Sequence, residues 1–175
     1  MKIIGLHGLP RSGKDTFANY MHNNYGYRLE AFAAPLKAAA AVLLNHSVDD
    51  MEGRNGFDRE AVLSEWGFST REFLQKFGTE CLRNNIRQDF WIQHMRNRIV
   101  GLDRVIITDV RFQNEADLIT ELGGKIVLIE RPGCIDNGHV SNQRIWCDAG
   151  VSNDKDLETL YAQIEWLAGN NGWRE

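Results

Sequence analysis

The stretch "GLHGLPRSGKDTF", residues 5–17, sets Gly8, then four residues, then Gly13 and Lys14, after an apolar run and before a helical pattern. In G-x-x-x-x-G-K spacing, backbone N–H groups cradle a chain of phosphates and the lysine reaches the terminal ones. A helix opening at the same place adds partial positive charge. The strict pattern continues with Ser or Thr for Mg²⁺, but here Asp15 stands in that position and Thr16 follows. A carboxylate in a first helical turn is electrostatically favoured. Beside phosphates it also needs Mg²⁺, its waters or a substrate hydroxyl to balance it. Gly8, Arg11, Ser12, Gly13, Lys14, Asp15 and Thr16 form the candidate donor-phosphate site, with Thr16 and Asp15 as candidate metal residues, directly or through water.

Three further places carry chemistry-bearing residues. Lys37 lies in the first turn of a helix opened by Pro35, where the dipole disfavours a cation, so a bound anion would reconcile the two; a solvated surface lysine is the competing explanation. Arg71 and Gln75, four apart in "STREFLQKFG", share one helix face and suit a phosphate or a base edge, as a plain solvated face also would. After "RVIIT" come Asp109, Arg111 and Glu115. An acid at the end of an apolar strand resembles the position that supports Mg²⁺ in phosphate-loop proteins, and an Asp/Arg ion pair closing the turn is the alternative. Val110 follows Asp109 where hydrolytic motors carry a water-polarising glutamate, which favours transfer to a bound acceptor. Trp91 fits either core or a wall for a nucleobase. Cys134, His139 and Cys147 lack paired C-x-x-C spacing and a fourth ligand, which argues against zinc.

These residues must be positioned by alternating strands and helices. "MKIIGL", "YRLEAF", "RVIITDV" and "KIVLIE" read as strands, and the irregular stretch after "RPG" has room for a short one at its end. Helical patterns cover "SGKDTFANYMHNNYG", "APLKAAAAVLL", "STREFLQKFG" with a stop at Gly78, "DFWIQHMRNRIVG" with Asp89 as N-cap, "NEADLITELGG" and "DKDLETLYAQIEWLAG"; "NHSVDDMEGRNGFD" reads as loop. Alternation of this kind implies βαβ units and a mostly parallel sheet covered on both faces, with ligands beyond the carboxyl ends of the strands. The length predicts one domain over 1–175, and the segments around 46–100, largely helical, are the candidates for substrate binding or a lid.

Composition narrows the function class. A 175-residue chain with 43% hydrophobic and 25% charged residues can bury its own core. Net charge −4 argues against wholesale nucleic-acid binding. Three widely spaced cysteines read as free thiols in a reducing cytoplasm, and no apolar run reaches the roughly 20 residues of a membrane span. No nucleic acid and no membrane are expected as partners; a homodimer stays open.

Taken together, "RSGKDT" at 11–16, "APLK" at 34–37, "R…LQ..GT" from Arg71 to Thr79, Trp91, "D.R..NE" from Asp109 to Glu115, "RPG" at 131–133 and "H.S" at 139–141 resemble the bacteriophage deoxynucleoside monophosphate kinase family. Nucleoside monophosphate kinases share the Lys-x-Thr form, which gives Thr16 the hydroxyl role. The resemblance implies a three-layer α/β/α P-loop kinase fold with a mostly parallel central sheet, small-molecule nucleotides as partners, ATP and Mg²⁺ as cofactors, and a location in the cytoplasm, of the host if phage-encoded. It implies transfer of the ATP γ-phosphoryl group to a deoxynucleoside monophosphate. By position, Gly8 to Thr16 would hold ATP, while Lys37, Arg71, Trp91 and Asp109 would contact the acceptor. Gly78 and Thr79 would line the site, with Gln75 on the Arg71 face. Arg111 and Glu115 would sit near the transferring phosphate or the donor, and Lys14, Asp15, Arg111 and Arg71 would carry catalysis. Family members are often longer between the "PLK" and "LQ..GT" helices; here that segment is short. Two readings compete: a P-loop kinase with a ribonucleotide, dephospho-coenzyme A or phosphomevalonate acceptor, or a nucleotide-binding regulator without efficient transfer.

Overall fold

The apolar run at the start of the chain forms β1 (Lys2–His7), the middle strand of a five-stranded sheet. Around it lie β2 (Arg28–Glu30), β5 (Arg104–Ile107), β6 (Lys125–Glu130) and β7 (Ala149–Ser152), in the order β2-β5-β1-β6-β7. Each of these pairings is parallel. The computed structural model describes residues 1–134 and 145–174. The "H.S" residues and His139 lie outside them. The chain divides into two compact units, Met1–Ala31 with Arg96–Glu175, and Phe32–Met95.

The first unit follows from strand periodicity. Ile4 and Leu6 pack into one core with Phe17, Ala18 and Met21 of α1 (Lys14–Tyr25) and Leu160, Ile164 and Leu167 of α7 (Leu157–Asn170). Gly5, between them, points the other way: a Cβ there would lie 2.6 Å from Ile119 of α6 (Gln113–Glu121) and 2.7 Å from Ile126. Helices therefore cover both faces, giving the expected three-layer α/β/α arrangement. Each of the buried Ile, Leu, Phe and Met side chains contributes about 1.5–3 kcal/mol on burial. The parallel register aligns His7 with Leu128 and Gly5 with Ile107, so the residues that follow β1, β5, β6 and β7 emerge at one sheet edge.

In the second unit, α2 (Ala34–Leu44) and α3 (Val48–Glu52) pack Ala40, Ala41, Leu44 and Met51 against Leu74 of α4 (Thr70–Gln75). A two-residue hairpin, β3 (Val62–Leu63) with β4 (Phe68–Ser69), leads into α4. Trp66, Phe68, Phe73 and Phe77 stack in succession at centroid distances of 6.1, 5.6 and 5.4 Å.

Two local expectations change here. The stretch read as loop contains α3, because Ser47 Oγ accepts from Asp50 N at 3.1 Å and the Asp50 carboxylate accepts from Ser47 N at 2.9 Å, a reciprocal cap. The helix read as stopping at Gly78 runs on as a π-helix, Lys76–Ile86. There Gly78 is buried: Leu36 Cδ2 sits 2.5 Å from where its Cβ would be, so packing overrides the stop. Asp89 directly precedes α5 (Phe90–Ile99), its carbonyl accepting from Gln93 N at 2.9 Å, and its carboxylate pairs with Arg87. Ser69 caps α4 and Asp156 precedes the last helix as its cap, each side chain accepting the amide three residues on.

Candidate active site

The loop between β1 and α1 is shaped by two glycines. Gly8 has φ 146°, and a Cβ there would fall 2.3 Å from the Ile129 carbonyl oxygen on β6. Gly13, the N-cap of α1, has φ 111°, and its Cβ would fall 2.5 Å from Asn153 Nδ2. A side chain at either place would fill the loop or break the backbone path. Ser12 is 1% exposed; its amide donates to Leu9 O at 3.2 Å, while its Oγ has no hydrogen-bond partner among the described residues. Arg11, exposed at the loop tip, takes a left-handed conformation with φ 66°.

Lys14 Nζ folds over this loop, donating to Gly8 O at 2.8 Å and Leu9 O at 2.7 Å. Burial, reinforced by the Arg111 guanidinium, pulls its pKa below the ordinary lysine value, while Asp15, Asp109 and Cys134 work in the opposite direction. The structure thus brings Lys14, Asp15, Asp109 and Arg111 into one electrostatic neighbourhood, as the strand-end rule predicts. A partly desolvated ammonium held by loop carbonyls is poised to exchange them for anionic oxygens, which would restore its pKa.

The "D.R…E" group has a clear division of labour. Glu115 is 2% exposed, and one carboxylate oxygen accepts from Arg111 N at 2.9 Å and Phe112 N at 3.2 Å. It caps the start of α6 and fixes the backbone that carries Arg111. Arg111 itself is exposed and Asp109 half-buried. Thr16 lies half-buried in the first turn of α1, with Asp15 exposed beside it.

His7, which the motif reading passed over, ends β1 directly before Gly8. It is 8% exposed, and its Nδ1 donates to Val110 O at 2.9 Å. Burial pushes its pKa below 6.5, with Lys14 and Arg111 adding to the effect. As pH falls from 6.5 toward the lowered native value, the unfolded chain takes up a proton that native His7 refuses, so stability is lost in that window. His7→Gln, followed by melting temperature against pH, is expected to flatten the acid-side slope; an unchanged slope would place the sensitivity elsewhere.

A cavity of about 550 Å³ adjoins the loop, walled among the described residues by His7, Gly8, Ser12, Arg111, Arg131, Trp146 and others. Cys134 and Cys147 also line it. Burial pushes the Cys147 thiol up to about 11, so it is a protonated free thiol at neutral pH.

The second unit holds the other candidates. Lys37, in the first turn of α2, pairs with Glu52 at 3.4 Å, and Glu52 also meets Arg54 at 2.6 Å. Arg71 Nη1 lies 2.7 Å from Glu60 Oε1. Gln75 ends α4 and is half-buried; Thr79 follows Gly78 in the π-helix. Trp91 is 7% exposed, and its indole N–H donates to Gly78 O at 3.0 Å, so Trp91 and Gly78 act as one packed unit. The carboxylates on Lys37 and Arg71 hold both cations in place and are the partners an anion would displace.

Comparison with known proteins places this architecture. The sequence profile of the deoxynucleotide monophosphate kinase family matches residues 57–164. A protein of Acanthamoeba polyphaga mimivirus that carries the family's name is 35% identical over 183 residues, spanning 94% of each chain. The deoxynucleotide monophosphate kinase of Enterobacteria phage T4 is 23% identical, over 94% of this chain and 98% of its own. Among solved structures, shikimate kinase from Aquifex aeolicus aligns over 98% of both chains with a TM-score of 0.54 at 13% identity. Dephospho-CoA kinase from Campylobacter jejuni aligns with a TM-score of 0.52 at 14% identity, over 98% of this chain and all of its own, a likeness of fold. The chain belongs to the deoxynucleotide monophosphate kinase family.

Proposed function

We propose that this chain transfers the γ-phosphoryl group of ATP, taken as its Mg²⁺ complex, to a deoxynucleoside 5′-monophosphate, yielding the diphosphate for deoxynucleotide synthesis. The observation that carries the donor half is the glycine-shaped loop with Lys14 folded over it, in the shared field of Asp15, Asp109 and Arg111. Family membership supports the acceptor class.

The acceptor phosphate is already an anionic nucleophile, so the protein has to position it and to neutralise charge on the transferring group. Lys14 and Arg111 supply that positive charge in the first unit. In the second, Lys37 and Arg71 are the acceptor-phosphate candidates, with Gln75, Gly78, Thr79 and Trp91 shaping the surroundings. Among the described residues there is no cluster of three or more His, Cys, Asp or Glu able to hold a metal. The donors beside the loop, the Thr16 hydroxyl and the Asp15 carboxylate, are hard oxygens few in number. They suit Mg²⁺, which keeps waters and shares phosphate oxygens with its nucleotide. Bound there, the ion would screen the phosphates; Thr16 would hold it directly and Asp15 directly or through a water.

The test is ADP formation from ATP and Mg²⁺ with a panel of deoxy- and ribonucleoside monophosphates. Turnover with deoxynucleotides supports the reading. Turnover with ribonucleotides alone would reassign the acceptor, and ATP binding with no turnover on any acceptor would make the chain a nucleotide-binding regulator. Asp109→Asn is expected to raise the acceptor KM about tenfold, the worth of one charge-assisted hydrogen bond, with the ATP KM changing much less. Equal rises in both constants would count against an acceptor role for Asp109.

A further inference from the structure

One residue outside every motif above touches the phosphate loop from a distant segment. Asn153 lies just past β7, where its Nδ2 donates to Ser12 O at 2.8 Å. Its backbone N–H donates to Glu130 O, at the end of β6, at 2.7 Å. Its side chain packs against Gly13, with Nδ2 2.5 Å from the position a Gly13 Cβ would take. The residue before it is held as firmly: Gln163 of α7 accepts from Ser152 N at 3.0 Å and donates to Ser152 O at 2.8 Å. A continuous strut therefore runs from α7 through Ser152 and Asn153 to the loop.

The Ser12 carbonyl and the Gly13 N–H belong to one planar, trans peptide, so they point in opposite directions. Holding the carbonyl toward Asn153 turns the Gly13 N–H away from it. That N–H belongs to the G-x-x-x-x-G-K loop, whose amide donors cradle phosphate. Left free, this peptide could rotate and lose the donor, since Gly13 carries no side chain to restrain it.

We infer that Asn153 is a positioning residue for the phosphate donor, orienting the Ser12–Gly13 peptide so that its N–H serves the bound phosphates. The inference rests on the donor reading of the loop. Asn153→Asp is nearly isosteric, cannot donate to the Ser12 carbonyl, and adds a negative charge; Asn153→Ala removes the donor without adding charge.

The experiment measures ATP and inorganic tripolyphosphate affinity, KM for ATP and for the acceptor, kcat and melting temperature in both variants. The expected result is a loss of ATP and tripolyphosphate affinity of about tenfold or more for the aspartate and about three- to tenfold for the alanine, near the worth of one hydrogen bond. The acceptor KM should stay within about twofold. Unchanged phosphate affinity in the folded variants overturns the inference, as does a parallel loss of ATP binding, acceptor binding and melting temperature, the pattern of a merely structural residue. If either Asn153 variant fails to fold, Gln163→Ala decides: a selective loss of ATP and tripolyphosphate affinity supports the strut, and wild-type affinities overturn it. A wild-type chain that binds neither probe overturns the donor reading itself, and the inference with it. A wild-type chain that binds both, with variants that match it, overturns only the role of Asn153.

Discussion

Lys14→Ala is expected to lower kcat/KM for ATP by about 10²–10³, the usual cost of removing one preorganised charge from a developing anion, without lowering the melting temperature. The two halves of that expectation come from the same observation. Lys14 is desolvated, its ammonium donates to the carbonyls of Gly8 and Leu9, and its pKa is held down chiefly by burial. In the absence of nucleotide the folded chain therefore carries a cation that the solvent would stabilise better. Removing it relieves that penalty, so the melting temperature should hold or rise slightly. With phosphates in the loop the balance reverses, because the ammonium gains anionic partners that the alanine cannot supply. Steady-state kinetics and thermal melts on the same preparations check the prediction together. Near-normal kcat/KM would remove Lys14 from the transferring phosphate, and a collapse of the melting temperature would mean that the loop depends on it structurally.

The same logic gives a pH signature. Nucleotide phosphates should raise the Lys14 pKa, so the alkaline limb of kcat should lie at higher pH than that of kcat/KM for ATP. Coincident limbs would mean that Lys14 does not feel the bound phosphates.

How far this site was legible in the sequence depends on the distance between the parts. The run "KIIGLHG" and the helix after it announce β1, the loop and α1, because strand period, glycine spacing and helix period all fall within about two dozen residues. Asp109 and Arg111 were legible through the parallel-sheet rule, which carries residues a hundred positions apart to one edge. The hairpin of β3 and β4 was not: two-residue strands have no period to read. Nor was the π-helix, since whether Gly78 ends a helix or admits Leu36 depends on a contact forty residues away. Glu115 was legible as a member of the "D.R…E" group, but its engagement with the Arg111 and Phe112 amides emerges only from the three-dimensional cap. Asn153 left the weakest trace. Its bond to Ser12 reaches 141 residues back along the chain, and the only available signal was its place just past a strand end.

Gly8→Ala should do the opposite of Lys14→Ala, damaging fold and binding together. At φ 146° an L side chain is strained, a cost of about 1–3 kcal/mol. The added Cβ would also meet Ile129 O at 2.3 Å and Ser12 Oγ at 2.9 Å. The first of these is backbone in a strand paired on both sides, by β1 and by β7, so it has little room to retreat and the loop must move instead. A combined loss of about 3 kcal/mol corresponds to a fall of roughly 6–12 °C in melting temperature for a chain of this size. The displaced loop should lose ATP affinity by at least tenfold, because several N–H donors shift at once. Gly150→Ala is the control: among the described residues, its chain neighbours aside, no atom lies within 4 Å of its Cβ position and its φ is not positive, so it should melt close to wild type and bind ATP normally. If the Gly8 variant behaves like the Gly150 variant in both measurements, the loop does not pass as close to β6 as its geometry requires, and the phosphate cradle built on that approach is wrong.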